Sequence, residues 1–234
     1  MRLIALVKAQ LLEFRRNPTV LMLPMIVVGL SVLYSLMADE GPNGFFVAAS
    51  LLMTVYMVGF QIPAMGIAED KEKRTLEAVL LTPATGWEVI GAKVIVGALI
   101  SAGTGLLTML VYKEAPANPL LLLVGFTLSL LLSLSLGTLI GLIAKDQKSS
   151  GVLSAPVMMA LLLFTIMPWP EFAPAVWEAM RYLPTRPVME LMLEATTGET
   201  GEVPAWQSIL VILPYVLVAL AVAARQVRRQ ASAR

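Results

Sequence analysis

The chain has 234 residues, of which 58% are hydrophobic and only 14% are charged; its net charge is +1 and its mean hydropathy is +0.80. A soluble domain carries about 25% charged residues, so this composition excludes an ordinary water-soluble protein and indicates an integral membrane protein. Cysteine and histidine are absent, which removes disulfides, thiolate nucleophiles, imidazole bases and the commonest zinc ligands. We therefore expect no catalytic residue, no metal site and no cofactor.

Six apolar stretches predict an all-α fold with six transmembrane helices, because about 17–25 apolar residues in a helix cross the hydrocarbon core of a bilayer. The stretches are approximately residues 19–38, 45–68, 94–112, 119–144, 151–169 and 206–224. Residues 1–17 precede them, with apolar side chains at helical spacing, and Pro18 ends this pattern. They predict an amphipathic helix in the cytoplasmic interface; a cytosolic extension of the first span is the alternative.

The distribution of lysine and arginine predicts the orientation. An even number of spans puts both termini on one side of the membrane. If the termini lie inside, only Lys113, Arg181 and Arg186 of the 17 basic residues lie outside. Basic loops are enriched in the cytoplasm. We therefore predict a multi-pass protein of the cell (inner or plasma) membrane with cytoplasmic N- and C-termini.

The longest loop, residues 170–204, lies outside in this topology and is both apolar and rich in proline. Full hydration would expose a large apolar surface. We therefore predict one or two short amphipathic or re-entrant helices that lean into the outer leaflet, with Trp169, Trp177 and Tyr182 as interface anchors. Nothing in the sequence indicates a separate soluble domain, so residues 1–234 are predicted to form one transmembrane domain.

The six stretches contain no Asp, Glu, Lys or Arg. Proton-coupled pumps and intramembrane proteases keep ionisable residues at depth, at a cost of about 3 kcal/mol each. The chain also lacks a Gly-x-x-x-x-Gly-Lys-Ser/Thr phosphate-binding loop. The sequence therefore predicts that the chain is not itself an enzyme, and it leaves a passive channel, a scaffold or a transporter driven by a separate ATPase.

Three polar residues of the second stretch are candidates for the lining of a pathway: Thr54, Tyr56 and Gln61. Such a lining would be apolar with scattered hydroxyl and amide groups, and would favour amphipathic, lipid-like or drug-like cargo over small ions. In the alternative interpretation these residues only pack helices together.

The cytoplasmic segment of residues 69–86 joins the second and third stretches. Its first nine residues hold seven charges of both signs, and an apolar strip follows before Pro83 ends the helical pattern. A helix of this kind has an apolar side to bury and a charged end to pair. Both features suit docking against a soluble protein at the membrane surface, whereas a solvated turn is the alternative interpretation.

This segment resembles a known motif. The residues from Asp70 to Glu77, followed by Leu80-Leu81-Thr82-Pro83, are similar to the acidic-basic-Gly-Thr-Leu-Glu and Leu-Leu-x-Thr-Pro motif of type 2 ABC exporter permeases. The glycine-containing end of the fourth stretch and the proline-rich segment after the fifth agree in order and spacing. Arg74 stands where the family usually has glycine, so continuous helix and an extra charge can replace a flexible joint.

The resemblance implies a transmembrane permease subunit that forms half of the translocation pathway of an ATP-driven exporter. The implied partners are two copies of a separate ABC ATPase, a second permease chain in a homodimer or heterodimer, and the lipid bilayer, without nucleic acid. The residues assigned to ATPase contact in the coupling helix are Glu69, Asp70, Lys71, Glu72, Lys73, Arg74, Thr75, Leu76, Glu77 and Leu80. The alternative function is an ATPase-independent membrane scaffold or assembly factor.

Overall fold

The computed structural model describes residues 2–37, 44–73, 85–113, 115–167 and 169–232, and within these ranges the chain is almost entirely helical, with no strand. The longer helices are α1 (Arg2–Arg16), α2 (Pro18–Met37), α3 (Gly44–Met53), α4 (Phe60–Glu72), α5 (Gly86–Tyr112), α6 (Pro119–Ile143), α7 (Gln147–Ile166), α10 (Thr185–Thr197) and α11 (Ala205–Ser232). Between α7 and α10 lie two short helices, α8 (Trp169–Phe172) and α9 (Pro174–Ala179), and a 3₁₀ turn, Met180–Tyr182.

Six of the described helices are long and apolar enough to cross a membrane: α2, the continuous helix from α3 to α4, α5, α6, α7 and α11. The prediction of an all-α integral membrane protein with six spans is therefore confirmed. Several helices extend beyond the predicted stretches: α4 continues to Glu72, α5 begins at Gly86, α7 begins at Gln147 and α11 continues to Ser232. Asp70 and Lys93 consequently belong to spanning helices. The helix predicted at the N-terminus is α1, and its position in the membrane interface stays a prediction.

A π-helical turn, Thr54–Gly59, joins α3 to α4 within the second span. The backbone N–H of Phe60 donates to the carbonyl of Val55, five residues earlier. Pro63 follows one turn later in α4 and has no N–H with which to bind the Gly59 carbonyl. The wider turn changes the direction of the side chains after it, and the sequence analysis did not predict it.

Helix α6 packs closely on α4 through Gly137 and Gly141. A Cβ atom at Gly137 would overlap the carbonyl oxygen of Phe60, and one at Gly141 would lie 2.8 Å from the carbonyl oxygen of Ala64. Glycines four residues apart lie on one face of a helix and let two membrane helices approach to backbone contact. This contact brings the end of α6 beside the end of α4.

Helix α10 is buried against the spanning helices. Val188, Leu191 and Met192 are fully buried and belong to the main apolar cluster, which also contains residues of α3, α6 and α11. Part of the apolar surface of residues 170–204 is thus covered by protein, while Phe172 and Tyr182 remain exposed. The predicted re-entry into the outer leaflet and the anchoring roles of Trp169, Trp177 and Tyr182 stay predictions.

The segment between α7 and α11 is organised around Arg186, whose side chain is 0% exposed. Its Nε donates to Glu190 Oε1 at 2.7 Å, its Nη1 donates to the Trp177 carbonyl at 2.8 Å, and its Nη2 donates to the Glu202 carboxylate. The guanidinium carbon lies 4.0 Å from the ring centroid of Trp177. Glu190 in turn accepts a hydrogen bond from the backbone N–H of Val203 at 2.6 Å. The buried Arg186 side chain therefore connects α9, α10 and the loop that precedes α11.

Candidate functional site

The polar contacts of interest surround the last turn of α4, where α1, α5, α6 and α7 converge. We name this set the α4-end cluster. It consists of Glu69 to Glu72 of α4, the C-cap residue Lys73, Gln10 of α1, Lys93 of α5 and the turn that joins α6 to α7. It contains the first five of the residues that the resemblance assigned to ATPase contact.

The centre of the cluster is a buried ion pair. Lys93 Nζ lies 3.0 Å from Asp70 Oδ2, and the two side chains are 4% and 8% exposed. Lys93 also donates a hydrogen bond to Gln10 Oε1 at 2.9 Å. A buried charge is tolerated only where it is paired and hydrogen-bonded. These contacts therefore fix α4, α5 and α1 relative to one another.

Lys71 binds the C-terminal end of α6, and Glu72 binds the N-terminal end of α7. The Lys71 ammonium donates to the carbonyl oxygen of Leu142 and, at 2.9 Å, to that of Ala144, both at the C-terminal end of α6. The Glu72 carboxylate accepts from the backbone N–H of Gln147, the first residue of α7, at 3.0 Å. A cation at a helix C-terminus and an anion at a helix N-terminus are both favoured by the helix dipole. The last turn of α4 is thereby attached to the α6–α7 turn.

The α6–α7 turn is itself held by a capping box. Ser149 N donates to Asp146 Oδ1 at 2.7 Å, and Asp146 N donates to Ser149 Oγ at 3.0 Å. Hydrogen bonds from the backbone and the side chain of Ser149 hold the pKa of Asp146 below its usual value. A second capping box, formed by Thr85 and Glu88, begins α5. Side-chain caps therefore fix the first residues of α5 and of α7.

The remaining residues of the predicted coupling helix divide into two groups. Glu69 forms an ion pair with Lys73 one turn later, and this hydrogen bond raises the pKa of the exposed Lys73 ammonium. The first group, Glu69 to Glu72, continues the helix of the second span beyond its apolar stretch. The other predicted contact residues, Arg74, Thr75, Leu76, Glu77 and Leu80, lie outside the described residues.

The three candidate pathway residues lie in the interior or at its edge. Thr54 is fully buried and donates its hydroxyl hydrogen bond to the Ser50 carbonyl of its own helix. Tyr56 is also buried and contacts the side chain of Thr165 on α7. Gln61 is partly buried, and its Oε1 has no hydrogen-bond partner among the described residues. Thr54 fits the packing interpretation, and the pathway role of all three stays a prediction.

Sequence reasoning did not select Lys93 or Gln10. Lys93 is flanked in α5 by apolar residues on both sides, and a single cation in such a setting is a signal of a buried partner. Its partner could not be read from the sequence, because Asp70 belongs to a different helix and the pairing depends on how the two helices cross.

The fold and the α4-end cluster define a multi-pass membrane protein in which polar contacts join the end of the second span directly to α5, α6 and α7 and, through Lys93, to α1. Residues 39–225 match the profile of the ABC-2 family transporter proteins, and the chain belongs to this family. The resemblance to type 2 ABC permeases is thereby confirmed.

Two curated relatives are similar to the chain. It is 23% identical over 180 residues to the inner membrane transport permease YhhJ of Escherichia coli (strain K12), which corresponds to 74% of this chain and 48% of the relative. The inner membrane transport permease YhhJ of Shigella flexneri gives the same values. The chain thus spans about half the length of the curated relatives it matches.

Proposed function

We propose that the chain is the transmembrane permease subunit of an ATP-driven exporter in the inner membrane, with cytoplasmic termini. In this proposal it forms half of a translocation pathway with a second permease chain, and two copies of a separate ABC ATPase supply the energy. The observation that carries the proposal is the α4-end cluster, in which the last turn of α4 contacts α5, α6 and α7 directly and α1 through Lys93.

The cluster supports a mechanical coupling role. The segment of residues 74–84 follows Lys73 directly and carries the second part of the motif that the family resemblance assigns to ATPase contact; the first part, from Asp70 to Lys73, belongs to the α4-end cluster. A displacement applied to this segment reaches α4 first, and the ion pairs and hydrogen bonds of the cluster transmit it to four neighbouring helices. Such coupling requires that the ATPase binds the two conformations of the permease with different free energies.

The experiment that tests the proposal is co-purification from the membranes of the native host. The tagged chain is captured in mild detergent, with and without ATP, and the bound proteins are identified by mass spectrometry. We expect an ABC ATPase in equal molar amount. Glu77→Lys should lower its recovery several-fold, because in this proposal the Glu77 carboxylate faces a basic surface of the ATPase, which a lysine would repel. Glu77 is a better probe than Glu72, whose carboxylate also binds α7.

The matched control is Glu199→Lys, a charge reversal at an exposed residue after α10. It should leave the recovery of the ATPase unchanged. Equal recovery with both variants would contradict the coupling role of residues 74–84. Recovery of a stable partner other than an ATPase would contradict the exporter proposal and would favour the scaffold or assembly factor.

A further inference from the structure

An apolar groove runs along the outside of the bundle between α5, α6 and α11. Its volume is about 300 Å³, and its wall includes Ile90, Val94, Leu131, Leu134 and Leu220. Gly91 also lines it, and a Cβ atom built there meets no described atom within 4 Å. The groove is therefore open at this position.

The two hydroxyl groups in the wall are already hydrogen-bonded. Ser135 donates to the Leu131 carbonyl and Thr138 to the Leu134 carbonyl, each at 2.7 Å. A hydroxyl bonded to its own helix makes little further demand on its surroundings. The wall can consequently accept an apolar ligand along its whole length without leaving a polar group unpaired.

One mouth of the groove is aromatic and basic. Trp87 lies there with 43% of its surface exposed, and the guanidinium of Arg228 is 6.0 Å from the centroid of its ring. Arg228 follows the wall residue Ala224 by four positions, so it continues the same face of α11.

Among the described residues, Arg228 supplies positive charge at this mouth, because its guanidinium lies beside Trp87. The neighbouring Glu88 carboxylate accepts hydrogen bonds from the backbone and hydroxyl of Thr85. Arginine binds phosphate through two parallel hydrogen bonds, and tryptophan favours the headgroup level of a bilayer. Basic pockets between membrane helices bind anionic headgroups.

We propose that this groove binds one anionic phospholipid, with an acyl chain along the wall and the phosphate at Trp87 and Arg228. The occupant is assigned from charge complementarity between the basic mouth and an anionic headgroup, and from the apolar wall that continues from it. The proposal does not depend on the ATPase or on the direction of transport.

The test is native mass spectrometry of the full-length chain in detergent, titrated separately with dioleoyl phosphatidylglycerol and dioleoyl phosphatidylcholine. We expect one phosphatidylglycerol adduct per chain at the lower lipid concentrations. Gly91→Phe should abolish this adduct, because the ring occupies the open part of the groove. The control is Gly103→Phe, a site on the same helix where a Cβ atom also meets no described atom within 4 Å.

A second pair of variants tests the headgroup contact. Arg228→Gln should weaken phosphatidylglycerol binding roughly fivefold and leave phosphatidylcholine binding unchanged, because one cation near an anionic lipid contributes about that factor. Lys8→Gln removes an exposed cation of α1 and should change neither. Elution volume and melting temperature identify any variant that fails to fold.

Three results would overturn the proposal. Equal affinity for the two lipids would remove the basis for an anionic ligand, and undiminished phosphatidylglycerol binding by Gly91→Phe would place the lipid elsewhere. A change in oligomer mass on Gly91→Phe, without a change in lipid adducts, would assign the groove to a second copy of the chain.

Discussion

Lys93 of α5 and Asp70 of α4 lie 3.0 Å apart in an almost completely buried ion pair. This pair joins the second and third spans at the end of the bundle from which residues 74–84 leave the second span. Removing one partner of a buried pair leaves the other charge uncompensated, which costs more than the pair itself contributes. The pair therefore constrains the relative position of the two helices more than it stabilises the fold.

Lys93→Met tests this constraint. We expect it to destabilise the chain by about 3 kcal/mol, because the Asp70 carboxylate stays buried without its partner. For a chain of this length the melting temperature in detergent should fall by roughly 6–12 °C. The double variant Asp70→Asn/Lys93→Met should recover most of the loss, since a neutral amide costs less to bury. Equal melting temperatures for the single and double variants would contradict this account.

Gly137→Ala tests the close contact between α6 and α4. The added methyl group would overlap the Phe60 carbonyl oxygen, so the helices must separate, at a cost of about 1–3 kcal/mol. Gly151→Ala is the control, because a Cβ atom there meets no described atom within 4 Å. Thermal unfolding in detergent should show a loss for the first variant and no loss for the second. A stabilised Gly137→Ala variant is incompatible with the contact described.

Arg186→Gln tests the segment between α7 and α11. It removes the cation that binds Glu190 and Glu202 and leaves a buried carboxylate, so we expect faster hydrogen exchange in residues 174–204 and a melting temperature lowered by several degrees. Arg186→Lys should restore little, because an ammonium group cannot reproduce the planar set of donors. Arg181→Gln, in the neighbouring 3₁₀ turn, serves as the control. Unchanged exchange in Arg186→Gln would remove this organising role.

Asp146→Asn tests the cap of α7 through its pH dependence. The pKa of Asp146 is lowered in the folded chain from a usual value of 3.8, so its charge stabilises the fold above pH 3.8 and this contribution is lost as the pH falls through the folded value. Asparagine also caps helices but does not titrate. The melting temperature of the wild-type chain should therefore exceed that of the variant above pH 3.8, and the difference should shrink below it. A difference independent of pH would rule out the charged cap.

The spans were predictable because apolar length is a local property. Each predicted stretch overlaps one long helix, and the errors lie at the helix ends, where charged residues continue the second span to Glu72 and begin the third at Gly86. From the sequence alone, charged side chains at these ends are expected to be exposed to solvent. Asp70 and Lys93 are buried because neighbouring helices cover them, which no local pattern records.

The candidate site was predictable only as a segment. The motif from Asp70 to Glu77 pointed to the end of α4, yet Lys71 and Glu72 were predicted to contact a soluble partner, with a solvated turn as the alternative, and not to bind other helices of the chain. In the structure Lys71 binds the C-terminal end of α6 and Glu72 binds the N-terminal end of α7, and both ends are distant in the sequence. Similarly, Arg186 was counted only as one of the basic residues outside.

By itself, the sequence determined that the chain crosses a membrane six times and resembles the ABC-2 permeases, because hydropathy and a short motif are properties of contiguous residues. Only the tertiary structure decided which charges pair, where α6 approaches α4 through Gly137 and Gly141, and which apolar residues between α7 and α11 are covered by protein. Those features depend on the crossing of helices that are distant in the chain, and the close contacts exist only once the helices have packed.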